Sequence, residues 1–136
     1  MKYLVDTHLL LWASIGQIKG AGSSAGLSRK AVDIIADADN ELYFSSAAIW
    51  EVAIKAAMGR PDFTVDAGVL RRELLDNGYM ELPITGEHAA AVTGLEAHHA
   101  DPFDRIQIAQ ATVEGMPLLT QDEKIGLYRK NPIKLV

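Results

Sequence analysis

Apolar residues in this 136-residue chain follow two rhythms, short unbroken runs and longer stretches with apolar positions three and four apart. Tyr3-Leu4-Val5 predicts a buried strand, and Thr7 is placed to cap a helix through Leu9, Leu10, Leu11, Trp12 and Ala13. Ser28 is placed to cap a helix over 29–37 with an apolar stripe of Ala31, Ile34 and Ile35. Leu42-Tyr43-Phe44 predicts a second strand. Ser46 then caps a helix with Ile49, Val52, Ala53 and Ala56 on one side, stopped by Gly59. Further helices are expected over 66–77, closed by Asn77-Gly78, and over the Ala-rich 86–95, with a short strand at 79–82 between them. Pro102 suits the first turn of a helix reaching about Glu114, in which Phe103, Ile106, Ile108, Ala109, Ala111 and Val113 leave little polar surface. Residues 117–120 predict a buried strand, 122–129 a short helix and 133–136 a last strand. Strands alternating with helices predict an α/β fold with a parallel sheet covered on both faces, whose ligands bind beyond the carboxyl ends of the strands.

The segment Gly16 to Gly26 breaks both rhythms. Gly20, Gly22 and Gly26 echo a phosphate-cradling loop, yet neither a preceding strand nor a Gly-Lys-Ser/Thr ending is present, so a flexible connection is the better reading.

Length and a hydrophobic share of 49% suit a single domain over 1–136 with a substantial core. Absence of cysteine excludes disulfides and thiolate zinc sites, so any metal is held by oxygen or histidine nitrogen, and a cytoplasmic setting fits. The opening apolar run loosely imitates a signal peptide, but Asp6 and His8 interrupt it, and no stretch approaches a membrane span. Net charge is −5, an unpromising total for binding a polyanion. Setting aside Asp6, Glu51, Asp104 and Asp122 leaves 14 of the 18 acids against 13 Lys and Arg, so a concentrated acidic site makes the total misleading.

Those four acids fall where an α/β chain presents side chains to one crevice: after the first strand, in a helix, at a helix start and after a late strand. Two carboxylates ~5 Å apart at an effective dielectric of ~20 repel by roughly 3 kcal/mol, so a cluster of them calls for a cation. Hard divalent cations prefer oxygen, and magnesium takes one or two carboxylates directly and keeps several waters. Each acid also has a plainer use: Asp6 and Asp122 as caps, Glu51 as a partner for Lys55 one turn on, and Asp104 and Asp101 as favourable charges at a helix N-terminus. Only their collective placement resists those explanations.

The segments Val5-Asp6-Thr7, Ser46-Ala47-Ala48-Ile49-Trp50-Glu51, His99-Ala100-Asp101-Pro102-Phe103-Asp104-Arg105 with Ile108-Ala109-Gln110-Ala111, and Leu119-Thr120-Gln121-Asp122 resemble the PIN-domain ribonucleases, in particular the VapC-like toxins of bacterial toxin–antitoxin pairs. The resemblance runs through nearly the whole chain in the family's order. It implies a three-layer α/β/α PIN fold with a mostly parallel central sheet, and RNA cleavage by water activated on Mg2+ or Mn2+. It further implies a homodimer held inactive by a cognate antitoxin. By position Asp6, Glu51, Asp104 and Asp122 match the family's metal-site acids, with Asp6 and Asp104 first as direct ligands; Thr7 and Thr120 match its small hydroxyl positions, and Asp101 supports Asp104. The long Gly/Ser-rich segment departs from the family pattern, where that connection is usually shorter.

Several residues invite other assignments. His98 and His99 beside Asp101 suggest a histidine metal site, but a polar loop before a helix explains them as well. Arg105 is a candidate for substrate phosphate, against ordinary ion pairing; Lys55, Arg60, Arg71 and Arg72 are candidates to line an RNA path, although the adjacent arginines read better as a solvated helix face, and Trp12 and Trp50 as packing residues. An aspartate-nucleophile phosphatase expects an acid where His8 stands. A receiver-like module expects neighbouring early acids and a late lysine where Thr120-Gln121-Asp122 follows. A catalytically inactive PIN-like scaffold is expected to have lost acids that are all present here.

Overall fold

The computed structural model describes residues 1–19, 26–61 and 63–136, the side chains of 15–19 excepted. Strand β1 (Lys2–Val5) is followed by helices α1 (Thr7–Lys19) and α2 (Arg29–Ala36), then β2 (Glu41–Ser45), α3 (Ser46–Ala57) and α4 (Ala67–Asp76). β3 (Met80–Leu82), α5 (Gly86–Ala91), a 3-10 turn at Val92–Gly94, α6 (Pro102–Glu114), β4 (Leu118–Thr120), α7 (Glu123–Gly126) and β5 (Ile133–Leu135) complete the order. The five strands form one sheet in the order β3-β2-β1-β4-β5, and every pairing is parallel, so the expected mostly parallel sheet is wholly so.

Period-two side-chain alternation divides the core. From β1, Tyr3 and Val5 join Leu42, Phe44 and Leu119 beneath Leu9, Leu10, Ala31, Leu70 and Leu74. Leu4 and Leu118 face the other way, onto Ile108, Ala111, Ile125 and Tyr128. Runs of consecutive apolar residues were required because both faces of a parallel sheet are covered by its crossover helices.

Helix boundaries follow caps that the pattern placed imperfectly. Ser28 caps α2 as expected, accepting from the Ala31 N–H at 3.1 Å. The α3 cap is Ser45, whose Oγ accepts from the Ala47 N–H at 3.0 Å, while Ser46 is the first helical residue and donates to the Leu82 carbonyl. Thr7 is inside α1 and accepts from the Gln107 amide at 3.1 Å instead of capping. The expected helix at 86–95 ends at Ala91 before the 3-10 turn, and that at 122–129 is limited to α7. Residues 16–19 continue α1, whereas 20–25, the centre of the proposed Gly/Ser-rich connection, lie outside the described residues. Gly115 ends α6 in the left-handed conformation, φ 68°, which a glycine adopts without a Cβ penalty.

Beyond β1 the strand order runs in both directions, through β2 to β3 on one side and β4 to β5 on the other. The carboxyl ends of β1 and β4 therefore flank the point where such sheets open a crevice. Asp6 follows β1 and Asp122 follows β4.

Candidate functional site

Asp6 is buried at the end of β1, and its Oδ2 accepts from the Thr120 hydroxyl at 2.9 Å. The same hydroxyl accepts from the Asp122 N–H at 3.0 Å, so Thr120 ties together the acids that follow two adjacent strands. Burial pushes the Asp6 carboxyl above its ordinary range; the Thr120 hydrogen bond and His8 act against that, while the charges of Glu51 and Asp122 reinforce it. Asp104, buried on the first turn of α6, is raised to about 6, chiefly by burial, then by the charges of Asp6 and Asp101, with Glu51 adding to them and the His99 hydrogen bond opposing. Asp6 is thus within electrostatic reach of Glu51, Asp104 and Asp122, and Asp104 within reach of Glu51 as well.

Glu51 enters from α3 and is buried. Its Oε2 meets the Lys55 ammonium at 2.8 Å, one turn along, while Oε1 is buried without a hydrogen-bond partner. An unpartnered buried carboxylate oxygen costs stability unless a cation or donor reaches it. Placed among other carboxylates, that oxygen fits a hard cation and nothing apolar.

The supporting residues divide their oxygens. Asp101 caps α6, its Oδ1 accepting from the N–H groups of Phe103 (2.9 Å) and Asp104 (3.3 Å). Asp122 caps α7 through the Lys124 N–H at 2.8 Å. Both plainer readings therefore hold alongside proximity to the site. Lys55 is held by Glu51. Arg105 donates to the Glu96 carbonyl at 2.9 Å and the Tyr128 hydroxyl at 3.0 Å, so its guanidinium clamps the chain leading to α6 instead of reaching into the crevice.

His99 is the residue that sequence reasoning set aside. Its Nε2 lies 2.6 Å from Asp104 Oδ2, and ligating atoms of His99, Asp101 and Asp104 lie within 4.8 Å of one another. The signal was the His99-x-Asp101 spacing before Pro102, which the absence of helical histidine spacing obscured. Gln107 was missed as well: its amide on the Thr7 hydroxyl joins α6 to α1 across 100 positions.

The crevice opens into a cavity of about 330 Å³ lined by Asp6, His8, Leu9, Trp12, Gln121 and Asp122. Gly26 lies flat on the Trp12 ring, where a Cβ would approach to 2.8 Å. Gln121 secures that approach, donating to the Gly26 carbonyl and accepting from the Ser28 N–H, both at 2.7 Å. Trp12 is half-buried against the core as expected; Trp50, expected to pack, is 61% exposed and stands edge-on to Phe103 at 5.3 Å between centroids.

The family model described as PIN domain matches residues 3–131. No curated protein matches the sequence. Among solved structures, VapBC2 from Rickettsia felis bound to a DNA fragment from its promoter is similar with a TM-score of 0.69 at 13% identity, covering 99% of this chain and 98% of that one. VapBC-5 from Mycobacterium tuberculosis, described as a member of the VapBC family of toxin–antitoxin systems, is similar with a TM-score of 0.64 at 14% identity, covering 99% and 97%. VapBC-1 from nontypeable Haemophilus influenzae gives 0.57 at 16% identity, covering 100% and 97%. At such identities the likeness is one of fold.

Proposed function

The chain belongs to the PIN domain family, and from that premise we propose that it is a divalent-cation-dependent endoribonuclease, the toxin of a toxin–antitoxin pair. The observation that carries the proposal is the buried, partnerless Glu51 Oε1 beside Asp6 and Asp104, whose carboxyls are both raised by burial and by neighbouring charge. Asp6 and Asp104 would hold Mg2+ or Mn2+, with Glu51 and Asp122 completing the set. When bound, the cation supplies charge to offset a scissile phosphate and acidifies water for in-line attack.

The chain's own residues do the remaining work. Thr120 holds the Asp6 carboxylate and the Asp122 backbone in one register. Lys55 offsets half of the Glu51 carboxylate without occupying both oxygens. Leu9 and Trp12 give the cavity apolar lining beside Asp6 and Asp122, suited to a nucleotide flanking the scissile bond. We propose a cytoplasmic setting and a cognate antitoxin by the same reasoning; among the described residues no helix is long and apolar enough to cross a membrane.

The fold also leaves Trp50 and Ile54 of α3 and its C-cap Met58 exposed, with Trp50 at a cavity of about 260 Å³ lined by Ala47, Trp50, Ile84, Pro102, Phe103 and Ile106. A contiguous apolar area of this kind suits a protein interface, and it supports the homodimer reading.

Purified, partner-free protein is expected to cleave RNA with Mg2+ or Mn2+ and to stop when a chelator is added. Asp104→Asn, which keeps size and removes charge, is expected to fold and to lose cleavage by at least about a hundredfold, as loss of charge stabilisation at a reacting phosphate does. Protein that binds Mn2+ and RNA but never cuts would favour a binding module.

A further inference from the structure

We propose that His99 is the positioning residue of the site: its imidazole engages Asp104 Oδ2 and so would leave Oδ1 to hold the cation. The inference rests on the metal-dependent reading above and goes beyond it, because none of the four acids determines how Asp104 presents its two oxygens.

The hydrogen bond is short, 2.6 Å between Nε2 and Oδ2, in the range of charge-assisted contacts. Both partners are anchored from behind. The Tyr128 hydroxyl accepts from the His99 N–H at 2.9 Å and donates to the His99 carbonyl at 3.3 Å. Tyr128 is completely buried, and its hydroxyl also accepts from Arg105 at 3.0 Å. Arg105 in turn donates to the Glu96 carbonyl at 2.9 Å, and the His98 ring stands edge-on to Tyr128 at 5.1 Å. On the other side the Asp104 N–H is held by Asp101. A residue that merely filled space would not need its backbone pinned at both its donor and its acceptor.

That arrangement accounts for the Arg105 contacts. The guanidinium braces Tyr128, Tyr128 braces the His99 backbone, and the His99 ring braces Asp104. Outer hydrogen bonds of this sort fix the orientation of a ligating carboxylate, and removing one typically costs roughly 10–100-fold in metal affinity.

The test is Mn2+ binding by calorimetry and electron paramagnetic resonance on the full chain, comparing wild type, His99→Ala, His99→Gln and Asp104→Asn. A glutamine amide reaches the position of Nε2 and donates the same hydrogen bond, but it neither titrates nor ligates well. His99→Ala is expected to weaken Mn2+ roughly 10–100-fold, and His99→Gln to restore affinity to within about threefold of wild type, with thermal stability of the two variants similar. Equal affinity in wild type and His99→Ala would overturn the inference alone. Equal loss in both His99 variants would overturn it in favour of direct ligation. If the wild type takes up no Mn2+, the metal-dependent reading fails and the positioning role fails with it.

Discussion

Asp104 and Asp6 carry carboxyls that burial and neighbouring carboxylate charges push upward, which gives the site a definite response to acid. Protons and a cation compete for the same oxygens, so Mn2+ affinity is expected to fall as pH drops through about 6, roughly tenfold for each unit below it. Without the cation the sign for stability is reversed from that of an ordinary salt-bridged acid. The folded protein binds these protons more readily than the unfolded chain, so their contribution improves as pH falls from above 6 toward the ordinary value of 3.8. Calorimetric titrations with Mn2+, and melting in chelator at pH 5 and 7, check both directions. The four candidate acids could be singled out in the sequence because each stands at an element's end or on a capped helix. His99 and Gln107 could not be given their partners that way, since local spacing does not encode which buried oxygen a side chain meets.

Among the elements, α6 does the most to place the site, and its start is set by a single side chain. Asp101→Ala would free the N–H groups of Phe103 and Asp104, an N-cap loss worth about 1 kcal/mol. The expected result is a lower urea midpoint at unchanged slope, with weaker Mn2+ binding because Asp104 sits on the frayed turn. Existence and type of the elements were largely legible, from unbroken apolar triplets for β1 and β2 and from Pro102 and Gly115 bounding α6. Caps were legible only where one candidate was available. At Ser45-Ser46 two adjacent serines compete, and the backbone at Ser45, φ −79° and ψ 143°, decides. Thr7 had the right chemistry for a cap and was drawn instead to Gln107, a tertiary partner outweighing a local one.

For the whole molecule, the strand order was not readable from the sequence, since runs of Val, Leu, Tyr and Phe say that a strand is buried without saying beside which other. The parallel, two-sided character was readable from the apolar runs of β1, β2 and β4, which show no alternating polar face. Neither Trp50 nor its neighbours announced their exposure, as the same α3 pattern serves a core as well as an interface. If that face closes a homodimer, Trp50→Glu is expected to shift the protein to monomer by sedimentation velocity while leaving its melting largely intact, since Trp50 is 61% exposed in the single chain. A monomeric wild type would remove that assignment. The Asp6–Thr120 contact, spanning 114 positions, has a consequence in time. Synthesis delivers the N-terminal side first, and non-local parallel pairings form late. A nascent chain that has reached only β3 carries Asp6 and Glu51 but neither Asp104 nor the strand that holds Asp6 in place. Asp6, Glu51, Asp104 and Asp122 therefore come together only once β4 has docked, and until then the Asp6 carboxylate lacks the hydroxyl that fixes it.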